Sequence, residues 1–218
     1  MQPVRNFQKE LDRLLQRTGN RPRLLLHSCC GPCSAPVLEY LTQFFEVTLL
    51  WFNPNLFPEE EFHKRLHAQL ELIEKMGLQN LVHVIELPWR SEEYYNAVTG
   101  LENEPEGGKR CTECFRLRLR ETAQLAARGG YDYFCSTLTL SRHKDALRIN
   151  RLGEELAQQA GAVWLPSDFK KQNREARSLE LCEQHGIYRQ LYCGCEFSLQ
   201  KRQSVAAEKA AQRTLNTD

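Results

Sequence analysis

Apolar residues along this chain recur in two alternating rhythms. Short unbroken runs suit strands buried on both faces, and stretches with apolar positions every three or four residues suit amphipathic helices. Residues 6–18 read as a short lead-in helix. RLLLHSCC (23–30) reads as a buried strand entering a loop, and SAPVLEYLTQF (34–44) as a helix capped by Ser34. FEVTLLWFNPN (45–55) is a second strand, stopped by Asn-Pro. EEFHKRLHAQLELIEKMG (60–77) is a helix with an apolar stripe of Phe62, Leu66, Leu70 and Ile73, ended by Gly77. LVHVIELP (81–88) is a third strand.

Strand, helix, strand, helix, strand is the order of an α/β domain with a mostly parallel sheet. A short helix (91–102) and a loop (102–110) follow. Residues 111–130 read as a helix that opens on cysteines and stops at Gly129 and Gly130. Residues 131–140 are strand and turn, and 143–161 a helix with Ile149, Leu152, Leu156 and Ala160 on one face. AVWLP (162–166) reads as a further strand. There is no internal repeat and no linker, so one domain is expected over 1–218. Its core covers about 22–166, residues 167–200 complete the active site, and 201–218 form a polar peripheral tail.

Composition narrows the chemistry. The net charge is +1, so only a local basic face can argue for a nucleic acid. The start is polar, without an apolar signal core, and no run reaches 18 apolar residues. A cytoplasmic protein with no membrane segment is expected. Nine cysteines in that setting point to metal or redox chemistry rather than to structural disulfides.

Cys29, Cys30 and Cys33 follow the first strand, and Cys111 and Cys114 open a later helix. Open parallel sheets gather ligands at the carboxyl ends of their strands, where such loops meet. Thiols at i and i+3 can face one soft metal, and a helix N-terminus favours thiolate. The residues suit iron–sulfur or zinc, with the adjacent Cys29–Cys30 pair favouring a cluster. CGPC (30–33) also resembles a redox dithiol, although Cys29 adds a third thiol to that loop. Cys193 and Cys195 flank Gly194; a disulfide across one residue is strained and suits a redox role. Cys135 and Cys182 read as core residues. His27 can tune the site or hand over a proton, or it is a satisfied structural residue.

His143, Lys144 and Asp145 can bind phosphate or cap the next helix. Lys109, Arg110, Arg116, Arg118 and Arg120 surround the second cysteine pair. Lys170, Lys171, Arg174 and Arg177 follow Phe169, and Arg189 and Tyr192 adjoin the last pair. Basic residues among aromatics suit a looped or single-stranded nucleic acid. There is no GxGxxG, no GxxxxGK[ST], no HExxH and no GxSxG.

HSCCGPCS, CTECFRLRL, FCSTLTLSRHKD, DFKK and YRQLYCGCEFS occur in that order over about 22–200. Together they resemble the iron–sulfur epoxyqueuosine reductase family, the type that works without cobalamin. The resemblance implies a three-layer, HUP-like core related to PP-loop enzymes, with a cysteine-containing C-terminal segment. It implies a [4Fe–4S] cluster, with an additional mononuclear iron beside it. The reaction implied is the final step of queuosine synthesis, a two-electron deoxygenation of the epoxide at the tRNA wobble position. Carried over by motif, Cys29, Cys30, Cys111 and Cys114 hold the cluster, and Cys193 and Cys195 form a redox-active disulfide. Cys33 stays open between the additional iron and a cluster iron, and His27 is a proton source. Arg110, Arg142, His143, Lys144, Lys170, Lys171, Arg189 and Tyr192 are the expected substrate contacts. Implied partners are tRNA bearing epoxyqueuosine and an electron donor whose identity the residues leave open; a monomer is expected. The rivals are a thiol-disulfide oxidoreductase, a zinc-binding RNA-binding protein and a PP-loop tRNA-modifying enzyme. The last would carry an SGGxDS-like loop where this chain has HSCCGPCS.

Overall fold

The computed structural model describes residues 5–17 and 19–215. Positions 1–4 of the polar start, position 18 of the lead-in helix and 216–218 of the tail lie outside the described residues. Among the described residues, β1 (Arg23–Ser28), β2 (Glu46–Trp51), β3 (Val82–Glu86) and β4 (Tyr133–Ser136) form one parallel sheet, ordered β3-β2-β1-β4. β1 is buried from Leu24 to Ser28, because a parallel strand covered on both faces has no solvated side.

The chain winds outward from β1 through β2 to β3, then returns to add β4 on the other side of β1. Winding therefore reverses between β1 and β4. The crevice beyond the carboxyl ends of those two strands is where an open parallel sheet takes a ligand. Helices complete three layers. α2 (Gly31–Leu41) packs on α3 (Glu59–Lys75) and α7 (Arg174–Gln184), while α5 (Lys109–Arg128) packs on α4 (Ser91–Val98) and α6 (Ala146–Ala160). β1 touches both α2 and α5. α1 (Phe7–Leu15) precedes the sheet, capped by Asn6, and α8 (Glu196–Leu215) ends the chain. Leu24, Leu26, Leu49, Trp51 and Phe134 lie in the central core. No described helix is long and apolar enough to cross a membrane.

Several elements differ from expectation. α2 begins at Gly31, with Cys30 as its cap and Pro32 in its first turn, where a missing N–H costs nothing. Ser34, expected as the cap, is inside the helix; its hydroxyl donates to Gln69 Oε1 at 2.7 Å. Leu70 is 43% exposed, because two four-residue steps from Phe62 drift about 80° around a helix of 3.6 residues per turn. Gln69 and Ile73 hold that face instead. Residues 162–166 make one isolated parallel bridge, Trp164 to Phe134, rather than a strand, and Pro166 has no N–H to extend the ladder. α8 starts at Glu196, so the segment read as a tail is the continuation of a helix that begins beside Cys195.

Candidate functional site

β1 delivers Cys29 and Cys30 at its carboxyl end, and the first turn of α2 carries Cys33 back beside them. Their sulfurs all lie within 4.8 Å of one another, with Cys29 and Cys30 3.8 Å apart. Among the described residues this is the group of metal-ligating side chains close enough to hold an ion. Three such thiols cannot all ionise without a cation. The charge settles on Cys29, held well below the ordinary thiol value by donation from Cys30 and Cys33, against burial, with help from Lys144 and Thr137. Cys30 and Cys33 are raised, chiefly through their bonds to Cys29. Thr137, just beyond β4, clamps the two strand ends: its Oγ1 accepts from Cys29 N at 3.1 Å and donates to Cys29 Sγ at 3.4 Å.

A cavity of about 940 Å³ opens at this crevice, with Cys29, Cys30, Cys33, Cys111 and Cys193 in its walls. Cys111 lies in the first turn of α5 and accepts from Gly107 N at 3.2 Å. Cys114, one turn on, packs with Tyr94 and Val98, and Cys195 and Phe197 lie against that group. Burial pushes the Cys114 thiol up to about 12, opposed by Arg118. Arg118 is itself buried and donates to Cys114 O at 3.1 Å and to Cys114 Sγ at 3.3 Å. It has no ion pair with a carboxylate among the described residues. Burial disfavours its charge, and Cys114 and Cys29 more than restore it. Half-buried Lys144 is likewise held charged, against burial, by Cys193 and the three thiols of the first loop. A buried guanidinium without a carboxylate, with a half-buried ammonium held by the same thiols, calls for an anionic partner at those thiols.

The Cys193-Gly194-Cys195 turn is held from below. Arg65, buried on α3 and paired with Glu61 at 2.7 Å, donates to Cys193 O at 3.1 Å and to Tyr192 O at 3.3 Å. Gly194 has φ +132, and a Cβ there would sit 2.4 Å from Leu56 Cδ2 and 3.0 Å from Arg65 Nη1. Only glycine fits between the two cysteines. All nine cysteines are free thiols; Cys193 is exposed and Cys195 half-buried. Cys111, Cys193 and Cys195 also border an adjoining cavity of about 540 Å³.

Of the expected substrate contacts, Arg142, His143, Lys144 and Tyr192 line the main cavity. Arg110, Lys170, Lys171 and Arg189 do not. Arg110 is buried, donates to Glu102 O at 2.6 Å and lies 4.2 Å over the Phe197 ring. Lys170 pairs with Asp168 at 2.6 Å, and Lys171 and Arg189 are exposed elsewhere. His27 lies in the sheet interior and outside the cavity wall. Its Nε2–H donates to Phe52 O at 3.0 Å, which leaves Nδ1 to accept from Ser136 Oγ at 2.8 Å. Burial, then the charge of Arg118, lowers its pKa to about 3. That is the place of a satisfied core residue rather than of a proton source.

Sequence reasoning missed Arg65, Thr137 and Gln190, and grouped Arg118 with phosphate-binding residues. Two of these carry a sequence signal: Arg65 stands four after Glu61 on the buried stripe of α3, and Arg118 four after Cys114 on α5. Lys201 and Arg202 of α8 also line the cavity, beyond the expected boundary at 200.

The family model for Epoxyqueuosine reductase QueH matches residues 24–201. The chain is 42% identical over 192 residues to the Epoxyqueuosine reductase QueH of Streptococcus pyogenes serotype M1, covering 87% of this chain and 75% of that protein. It is 40% identical to the protein of that name from Staphylococcus epidermidis, covering 90% and 86%. With the one from Thermotoga maritima it shares 32% identity, over 87% of this chain and 97% of the relative.

Proposed function

Because the chain belongs to the Epoxyqueuosine reductase QueH family, we propose that it removes the epoxide oxygen of epoxyqueuosine at the tRNA wobble position, the two-electron final step of queuosine biosynthesis. The observation that carries this reading is the convergence of thiols: Cys29, Cys30 and Cys33 within 4.8 Å of one another, in one cavity with Cys111 and Cys193.

The three thiols of the first loop, with Cys111 in the same cavity wall, suit a soft metal or an iron–sulfur group, while Cys114 lies behind that wall against Tyr94 and Val98. Thiolates are the ligands of such a group, Thr137 and Gln190 donate to the sulfurs, and Arg118 and Lys144 supply the positive charge that an anionic cluster balances. Cys29, Cys30, Cys111 and Cys114 would hold a [4Fe–4S] cluster, and Cys33 would serve an additional mononuclear iron. When bound, such a centre supplies electrons singly and an electrophilic metal.

The chain's own residues do the rest. A dithiol at Cys193 and Cys195 releases two electrons and two protons on closing to a disulfide. Conversion of an epoxide to an alkene and water consumes the same number. Cys193 faces the cavity from a turn that Arg65 holds in place. A cavity of about 940 Å³ accommodates a flipped nucleoside. Arg142 and His143 on one rim, and Lys201 and Arg202 on α8, would hold the phosphates of the anticodon loop, while Lys144 faces the thiols. One chain supplies every thiol, so a monomer suffices. An external donor would reload the dithiol, and a cytoplasm that keeps thiols reduced suits that cycle.

The test is anaerobic purification with iron and sulfide analysis, followed by reduction of tRNA bearing epoxyqueuosine. The expected result is about four irons or more with broad visible absorbance, and loss of one oxygen from the modified base by mass spectrometry. Protein free of iron and sulfide, or a base that keeps its oxygen under reducing conditions, would overturn the reading.

A further inference from the structure

Gln190 stands in the cavity wall, on the loop between α7 and α8. Its side-chain amide is used at one end only. Nε2 donates to Cys30 Sγ at 2.9 Å. Oε1 is buried and has no hydrogen-bond partner among the described residues. Other buried side-chain atoms lack partners too, on Trp51, Asn53, Asn55, Gln69 and Arg110. None of those residues lines the 940 Å³ cavity, and Gln190 does. The orientation of the amide follows from its neighbour. Cys30 Sγ has Cys29 Sγ 3.8 Å away to take its S–H, so a sulfur lone pair accepts the amide N–H and the carbonyl oxygen is left over. A buried acceptor without a partner is costly and is expected where a bound molecule completes it.

We propose that Gln190 is a positioning residue with two tasks: its N–H orients and tunes the sulfur of Cys30, and its Oε1 accepts a hydrogen bond from an O–H or N–H of the substrate's modified base. The inference rests on the epoxyqueuosine reductase reading and adds to it a specific acceptor. One rigid amide then registers the base against a sulfur of the metal-binding loop. The modified base brings N–H and O–H donors, so the class of partner is a polar hydrogen rather than a phosphate. Donation to a ligating sulfur also stabilises the reduced, more negative state, so the same residue sets how easily the centre accepts an electron.

The two tasks separate in two variants. Gln190→Glu keeps an acceptor and loses the N–H. Gln190→Met keeps the volume and loses both. Wild type and variants are purified anaerobically, with iron content and melting temperature measured first. Two readouts follow. One is the midpoint potential from a redox titration followed by electron paramagnetic resonance. The other is the preference of the metal-loaded protein, held oxidised so that it cannot turn over, for tRNA bearing epoxyqueuosine over the same tRNA with unmodified guanosine. Both variants are expected to make reduction of the centre about tenfold less favourable, which is about 59 mV for one electron. Only Gln190→Met is expected to lose the preference, by about tenfold, the worth of one hydrogen bond. If Gln190→Met fails to load metal, the near-isosteric Gln190→Glu carries the potential arm, and Gln190→Leu, which also lacks both the N–H and the acceptor, carries the binding arm. A potential that moves while the preference stays overturns the substrate contact. Wild-type values in both variants overturn the whole inference and leave the reductase reading standing. Wild type that holds no iron, or leaves epoxyqueuosine intact, overturns both.

Discussion

A turn that sets two cysteines one residue apart at a cavity mouth has to hold its backbone tightly, and Gly194 is where this turn meets that demand. Its φ of +132 is open to glycine, and Leu56 and Arg65 leave no room for a methyl group. Gly194→Ala is expected to cost about 1–3 kcal/mol of stability through backbone strain. It would also push Cys193 O off Arg65. The expected outcome is a melting temperature lowered by several degrees and turnover lowered at least about tenfold, with iron content retained. A variant with wild-type turnover would show that the turn's position does not matter to the reaction. At this scale the cysteines were legible in the sequence, since thiols at such close spacing in one loop have few other uses. Arg65 and Gln190 were not. Their roles come from contacts with Cys193 and Cys30, 128 and 160 residues away along the chain, which no local pattern records.

Among the elements, α6 shows how a segment that fails as a strand still docks. Asn150 of α6 is buried, and its Oδ1 accepts from Trp164 Nε1 at 2.9 Å and from Ser167 N at 3.0 Å. Its Nδ2 donates to Ser167 O and Ala146 O, each at 2.8 Å. Gly153, one turn on, lets the Trp164 ring lie flush on the helix; a Cβ there would be 2.3 Å from it. Asn150→Ala would leave buried donors and acceptors of the 164–167 segment unpaired. The expected loss is about 2–4 kcal/mol by chemical denaturation, with the cysteine loops intact and metal content unchanged. The order of elements was legible, because each strand is a short apolar run and each helix has its own period. Starts and stops were less so. Gly31-Pro32 reads locally as a loop, yet it opens α2, because proline suits the first turn of a helix. That shift of three residues puts Cys30 at the cap and Cys33 in the first turn, with their sulfurs at the positive end of the helix dipole.

Over the whole molecule, the sheet order β3-β2-β1-β4 joins three distant pieces of chain. Alternation of strands and helices announced a parallel sheet but not that order, since several windings share one alternation. The order is what sets the loop after β1 beside the turn after β4. It brings Cys29 against Thr137 and carries Arg142 and Lys144 to the rim. Net charge also hides the arrangement. The chain carries +1 overall, while Arg142, His143, Arg148, Lys201 and Arg202 gather around one mouth. Such a local field should be visible as counterion release. Replacing Arg142 or Lys201 by Gln is expected to weaken tRNA binding and to reduce the slope of log affinity against log salt by about 0.7–0.9 for each phosphate no longer neutralised. Turnover at saturating tRNA should hold, because neither side chain reaches the sulfurs by a hydrogen bond in the structure. Lys171→Gln removes an exposed charge away from the cavity and serves as the comparison. If Lys171→Gln lowers the slope as much as Arg142→Gln does, the RNA is held by a broader surface than this mouth. If only the rim residues lower it, the helix that begins at Glu196 is part of the substrate site, and its 201–205 stretch works with the cysteine turn rather than trailing behind it.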